Sequence, residues 1–443
     1  MELLSPDHER YDEARAVFNV MIDKRPAVIA ECASPDDVVD ALAAADREGF
    51  AVAVRSGGHS VAGASVNDGG IVIDVRPMNT VVVDPAARTA RVGSGATWSD
   101  VDRATQEHGL ATTGGRVSTT GVAGFTLGGG SGWLERSCGL ACDNLVSVDL
   151  VTADGRQVTA SADEHPDLFW ALHGGGGNFG VATSMVLRLH EVGPLVTAGL
   201  MLWPGDAAAD IARHYRDLAA GAPDELGSGL IMLTGPPEEF VPPHLQGTTL
   251  VAVGALWSGS VDDGAAVLQP LRDLDPAVDL VGPMPYADFQ CMIDDPPGFR
   301  HYWSADYHDA LPDDALDVFV KYGAERQSPL SQQLMIPWGG AVARVGEDAT
   351  PMSNRDVAWI THPFAVWEDA ADDQRNIEWA RAFRRDIGRY ATGGVYLNFI
   401  GDEGEDRVRA AYGAEKYDRL SAIKAEWDPT NRFQGNQNIK PAG

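Results

Sequence analysis

No stretch of this 443-residue chain holds the roughly 20 consecutive apolar residues that a membrane-spanning helix needs. Positive charge is sparse. Lysine and arginine together number 34 against 64 aspartates and glutamates, a formal charge of -30 at pH 7. Such a field repels nucleic acid and anionic membrane surfaces, so neither is an expected partner. Cysteine is rarer still, with Cys32, Cys138, Cys142 and Cys291 the only four. Cys138 and Cys142 lie four apart, but no His or Cys pair follows at ligand spacing, so the expectation is small buried thiols and no metal. Residues 1–15 mix charges and carry no apolar signal core, which predicts a cytoplasmic protein. The acid excess, with lysine scarce and Asp402-Glu403-Gly404-Glu405-Asp406 as its densest cluster, admits two readings: adaptation to high salt, or an ordinary acidic surface.

Glycine, by contrast, is abundant and placed in clusters. Arg55-Ser56-Gly57-Gly58-His59-Ser60 follows an apolar run at residues 51–54 and presents a histidine where the backbone is barest. Glycine admits close approach and φ > 0, and backbone N–H groups in such a turn cradle anionic oxygens, so a phosphate-bearing cofactor is the natural occupant. Upstream, residues 26–32 read as a strand. Ser34-Pro35-Asp36-Asp37 supplies a helix cap, a proline at the first helical position and acid in the first turn. Val38, Val39, Leu42 and Ala45 recur at helical spacing until Gly49. A β-α-β unit therefore delivers the His59 loop to the carboxyl end of a strand, where ligands bind in open α/β sheets.

Further strands are predicted over 71–75, 81–84 and 89–93, a helix over 99–108, a hairpin from 146–152 and 156–160, a short helix over 167–172 and a strand over 181–189. Residues 1–192 read as one cofactor domain. From 193 to 393 helices such as 207–219 and 373–385 alternate with strands such as 250–257 and 358–361, as expected of a substrate domain; residues 394–443 form a C-terminal segment. Tyr302, Trp303, Tyr307, Trp338, Trp359 and Phe364 cluster in the second region. Most are expected in the core, and the remainder could line a pocket for a flat or hydrophobic substrate.

Four further segments stand in order after the His59 loop: Thr113-Gly114-Gly115-Arg116 with Gly121-Val122-Ala123-Gly124, then Gly128-Gly129-Gly130-Ser131-Gly132, then Gly174-Gly175-Gly176-Gly177-Asn178-Phe179-Gly180-Val181, and Phe433-Gln434-Gly435-Asn436-Gln437-Asn438-Ile439. In this order and spacing the chain resembles the berberine-bridge-enzyme-like oxidases, FAD-linked enzymes related to vanillyl-alcohol oxidase and p-cresol methylhydroxylase. The resemblance spans nearly the whole chain. It implies an α+β fold: a two-subdomain FAD-binding domain of the p-cresol methylhydroxylase type, an α+β substrate domain with an antiparallel sheet, and a tail that returns to the FAD domain.

The resemblance also implies FAD bonded covalently through its 8α-methyl group to His59. Arg55, Ser56, Gly57, Gly58 and Ser60 would wrap the pyrophosphate. Gly114, Gly115, Gly121 and Gly124 would lie against the ring and phosphates, Val181 at the adenine side, and Asn436 and Asn438 near the ring. Family members with a second flavin link place a cysteine where this chain has Val117, so attachment through histidine alone is expected. Gly115 falls on the family's oxygen gate, and a glycine there favours dioxygen as the acceptor. Phe125 stands where many plant members carry a histidine near the flavin.

Oxidation of an alcohol or phenol needs a group that takes the hydroxyl proton. Tyr396-Leu397-Asn398-Phe399 keeps the first tyrosine of the plant pattern and replaces the second with Phe399, so the usual base is missing. Tyr396, Tyr302, Asp306 and Tyr307 are the candidates in its place. Arg344, His362 and Arg355 are further pocket candidates. The expected activity is oxidation of a small alcohol, lactol or phenolic metabolite with release of hydrogen peroxide. A quinone or protein acceptor, or a flavin-binding protein without turnover, are the alternatives. A nicotinamide-dependent reading of residues 128–132 fails, because no strand and acidic ribose ligand follow at the distance that fingerprint needs.

Overall fold

The computed structural model describes residues 1–443 apart from Asp295, Pro296 and Asn436. The cap signals at residues 34–37 act as read. Ser34 and Asp37 form a reciprocal capping box on the helix Pro35–Glu48, and Gly49 ends it in the left-handed region at φ 70°. Val38, Ala41, Leu42 and Ala45 turn inward onto a four-stranded sheet in the order Glu2–Leu4, Val28–Glu31, Ile71–Asp74, Val52–Arg55. The last three strands are parallel. Val28–Glu31 and Val52–Arg55 thus form the β-α-β unit read from the sequence, with Ile71–Asp74 inserted between its two strands. Ile71–Asp74 is buried at all four positions and takes the central slot, as a strand without a polar face must.

A second, antiparallel sheet runs in the order Val81–Asp84, Thr89–Gly93, Val181–Arg188, Leu145–Val151, Gln157–Ser161. Two hairpins flank one long strand. The predicted helix over 99–108 is Trp98–Gln106, capped by Thr97 and Asp100.

A nine-stranded antiparallel sheet occupies residues 195–367, and the alternation of its strands sorts two environments. Met335, Trp359, Ala365 and Trp367 pack beneath the helices Ala208–Ala220, Asp313–Ala324 and Asp373–Ile387. Leu334, Ile336 and Ile360 face the other way, towards the first half of the chain. The strand predicted over 358–361 is in fact Trp359–Trp367 and runs through Pro363. The neighbouring strands Arg300–Trp303 and Asp306–His308 are interrupted opposite His362 and Pro363, so the missing proline N–H coincides with a gap in the ladder.

The C-terminal helix Ala414–Trp427 carries Lys424, which is wholly buried. Its ammonium donates to the carbonyl of Asn178 at 2.6 Å, to Asp428 at 2.6 Å and to the carbonyl of Phe433 at 3.1 Å. Beyond it, Asn178 donates to the Gln437 carbonyl at 3.2 Å and accepts from the Ile439 N–H at 3.0 Å, fixing the tail to the glycine run. Of the cysteines, Cys32 and Cys142 are buried as expected, whereas Cys291 is exposed on the turn after a five-residue helix. Among the described residues no helix is long and apolar enough to cross a membrane.

Candidate active site

One long cleft is walled by the residue 56–65 loop, the turns at 115–128 and 174–180, the exposed face of the nine-stranded sheet, and residues 397–400. Its first wall is backbone. A Cβ on Gly57 would fall well inside van der Waals contact of the Gly121 N–H, and one on Gly121 would do the same to Gly57. Each glycine is required by the other. Gly58 has φ 74°, a left-handed turn that favours glycine. Ser56 anchors the loop by donating to the Ser94 carbonyl at 2.7 Å.

Gly124 is different: nothing lies within 4 Å of where its Cβ would stand, although it lines the cleft in the helix Val122–Leu127. That space is open to the cleft. Gly57, Gly58, His59, Ser60, Gly115, Val117, Gly121 and Gly124 all line the cleft. Gly114 lies behind it against Trp98 and Gln290, and Val181 is in the core while Gly180 and Ala182 reach the wall. The Asn438 side-chain oxygen is buried without a partner, while Gln437 lines the cleft. Asn436 is outside the described residues. A long cleft of bare backbone, with room in front of Gly124, fits a flat, phosphate-bearing group such as FAD.

Arg55 departs from the role the resemblance implies. Its side chain runs beneath the loop and donates to the Ala14 carbonyl, where burial lowers its pKa to about 10. It supports Gly58 from below and does not line the cleft. His59 stacks on Phe18 with ring centroids 4.3 Å apart and places Nε2 3.0 Å from the Thr119 hydroxyl. Burial, and then the charge of Arg55, bring its pKa down to about 4, so the ring is neutral at pH 7.

The four proposed proton acceptors lie outside the cleft lining. Asp306 is buried in ion pairs with Arg384 at 3.1 Å and Arg407 at 3.3 Å; burial still raises its pKa against their opposing pull. The Tyr307 hydroxyl is buried without a partner against Trp338, and burial pushes its pKa far up. Tyr302 is half-buried and accepts from Arg381 at 3.2 Å. Tyr396 is buried, and its oxygen accepts from the N–H groups of Gly130 at 2.7 Å and Ser131 at 2.8 Å and from the Asn398 amide at 3.1 Å. It holds Asn398, which does reach the cleft, and burial raises its own pKa despite those three donors. Arg344 is exposed and pairs with Asp224, and Arg355 is buried on Asp143 at 2.7 Å, both away from the cleft.

Of the further candidates His362 alone lines it, with Trp303, Gln332, Phe364 and Phe399. Gln332 carried no local sequence signal. The period-two alternation of residues 332–336 and 360–364 would have found this face had the strand been followed through Pro363. Arg116 also reaches the cleft, held by Glu135 at 3.1 Å and Ser131 at 3.1 Å and laid over Trp133.

A family profile described as an FAD binding domain matches residues 26–161, and one described as berberine and berberine like matches residues 395–440. The chain is 31% identical over 463 residues to (R)-6-hydroxynicotine oxidase of Paenarthrobacter nicotinovorans, covering 100% of this chain and 97% of that protein. It is 29% identical over 463 residues to xylooligosaccharide oxidase of Thermothelomyces thermophilus, covering 96% and 89%. The crystal structure of 6-hydroxy-D-nicotine oxidase from Arthrobacter nicotinovorans superposes with a TM-score of 0.88 at 28% identity, covering 100% and 98% of the two chains. These likenesses run the length of the molecule, through both the glycine loops and the sheet that faces them, and fix its cofactor as FAD. The chain belongs to the berberine-bridge-enzyme-like family and is an FAD-dependent oxidase with the family's α+β fold.

Proposed function

We propose that this oxidase carries its flavin covalently on His59, dehydrogenates a small alcohol, lactol or phenolic metabolite, and passes the electrons to dioxygen with release of hydrogen peroxide. The observation that carries the reading is the state of His59: neutral, half-buried and set at the cleft in a loop whose glycines pack on those of the facing turn. When bound, FAD supplies the acceptor for the substrate's hydride and its return to dioxygen.

The chain's own residues do the rest. Backbone N–H groups of residues 56–60 present donors for the pyrophosphate without a lysine, in keeping with a cleft whose one lining cation is Arg116 among the described residues. The Thr119 hydroxyl orients the His59 ring from its Nε2 side. Gly115 leaves the wall low between Trp98 and Phe125: a Cβ there would stand 3.3 and 3.2 Å from those rings, narrowing the approach of dioxygen. The apolar side chains of the sheet face exclude water from the reacting centre.

Acid precipitation of the purified protein, followed by absorbance and in-gel flavin fluorescence, tests the link. A yellow, fluorescent pellet that turns colourless in His59→Ala is expected. Flavin left in the supernatant of the unmodified protein would mean noncovalent binding. Hydrogen peroxide release during turnover in air tests the acceptor, and slow reoxidation of the reduced protein by dioxygen would favour a quinone or protein acceptor instead.

A further inference from the structure

Three adjacent strands set one array on the cleft floor. Trp303 and Gln332 both stand in register with Phe364, and Leu334 stands opposite His362. Trp303 and Phe364 stack with centroids 4.5 Å apart. The His362 ring lies parallel to Phe399 at 4.5 Å and 7°, with the edges of Trp303 and Phe364 at 5.7 and 5.6 Å. Its Nδ1 is 2.7 Å from the Ser304 carbonyl oxygen. A carbonyl only accepts, so Nδ1 carries the proton and Nε2 keeps its lone pair. Burial holds the ring neutral, with a pKa near 4.

We infer that His362 is the proton acceptor of this oxidase, and that the aromatic slot around it selects a flat, largely apolar ring bearing one hydroxyl or N–H donor in preference to an oligosaccharide. The inference rests on the oxidase reading of the cleft. As the substrate's O–H bond breaks, its proton forms the Nε2–H bond and its electron pair becomes the new C=O bond. The hydrogen on the hydroxyl-bearing carbon, a benzylic carbon attached to the flat ring, leaves as hydride to FAD. Dioxygen takes up the two electrons together with both protons, the one on Nε2 included, so that hydrogen peroxide leaves and His362 returns to its neutral form. Phe399 offers a ring face without the hydroxyl the family's tyrosine would bring, so the imidazole supplies the acceptor at this wall.

The slot's remaining polar groups are the Gln332 amide, set among Trp303, Phe364, Leu334 and Ile336, and the Trp303 indole N–H, which is buried without a partner. A sugar chain would bury more hydroxyls here than these groups and His362 can pair, each unpaired one at a cost of about 1–3 kcal/mol. A planar ring loses nothing by stacking on Trp303 and Phe364 and needs a single acceptor.

The test is titration of the FAD-loaded protein with 4-nitrophenol, whose ionised form absorbs in the visible, across the probe's own pKa. Binding of the neutral phenol, seen as loss of the phenolate band and proton uptake at alkaline pH, is expected. His362→Phe should weaken binding about tenfold, the worth of one buried hydrogen bond, and abolish the preference for the neutral form. Trp303→Leu should weaken binding while keeping that preference, which separates stacking from proton acceptance should the histidine variant fold poorly. Xylobiose should not displace the probe. Preferential binding of the phenolate, unchanged affinity in His362→Phe, or displacement by xylobiose would each overturn the inference. A pellet that stays yellow on acid precipitation, beside any of these results, leaves the covalent oxidase reading standing; a colourless one counts against that reading alone.

Discussion

The two walls of the cleft are made of different material. On the cofactor side the surface is backbone: Gly57 and Gly121 touch main chain to main chain, and one neutral histidine stands beside them. On the substrate side it is side chain: Trp303, Gln332, His362 and Phe364 project from three strands far apart in sequence. A wall of glycine accepts one fixed partner by shape. A wall of projecting side chains can be re-cut by single substitutions, which suits a family whose relatives are named for substrates as unlike as hydroxynicotine and xylooligosaccharide.

The harshest way to break the comparison is to release what clamps the cofactor wall from behind. Lys424→Met leaves Asp428 buried and unpaired, and should cost about 3–5 kcal/mol in urea unfolding. Adding Asp428→Asn should recover part of the loss, since it removes the buried charge and its amide oxygen still accepts from one of the two backbone N–H groups, Arg432 or Phe433, that the separate carboxylate oxygens now take. Within the wall itself, Gly57→Ala drives a methyl into main chain and should cost about 1–3 kcal/mol together with flavin content, read by absorbance. Gly124→Ala meets open space, so its melting without flavin should be unchanged while flavin retention falls. Equal behaviour of the two variants would erase the distinction between a glycine kept for the protein and one kept for the ligand.

A third test joins the walls. His301 stacks on the other face of Phe18 from His59, with both ring nitrogens buried and unpartnered, and burial lowers its pKa to about 3. The unfolded chain takes up a proton near pH 6.5 that the folded one refuses, so stability falls as pH drops from 6.5 towards 3. His59 and His362, both near 4, add to the same limb. His301→Phe should therefore stabilise the protein by about 1–2 kcal/mol at pH 5 relative to pH 7, measured as urea midpoints at the two pH values.

The smallest effect belongs to the surface shared by both halves. Breaking an exposed pair such as Arg88–Glu191 should change stability by less than about 1 kcal/mol. Melting in dilute buffer and in molar salt should give the same midpoint, as for an ordinary acidic surface. A steep rise with salt would instead assign the charge of -30 to high-salt adaptation.

The cofactor wall was legible because its information is local. A capped helix, a strand and a Gly-Gly-His turn are consecutive, and consecutive residues need no register to be specified. Arg55 misled because sequence gives a side chain's place in a loop but not its direction, and here it turns to Ala14. Tyr307 and Asp306 shared a motif with Trp303, yet the break at Ser304 and Ala305 separates the two strands and leaves only Trp303 on the cleft. His362 was a pocket candidate in the sequence, but its place on a strand was not legible, because Pro363 reads as the end of a strand and is in fact its middle. Lys424 gave no sign at all, since a lysine on a helix is ordinarily solvated.

The sequence alone determined the helix caps, the glycine turns, the identity of the histidine among them and the absence of a membrane-spanning run. These follow from backbone sterics and from charge, which act over a few residues or over the whole chain at once. Tertiary structure decided which strands are neighbours, which face of the large sheet meets the cleft, and where the buried charges find partners. Those depend on burying apolar faces against one another across hundreds of residues, and a one-residue change of register would turn each of those side chains to the other side.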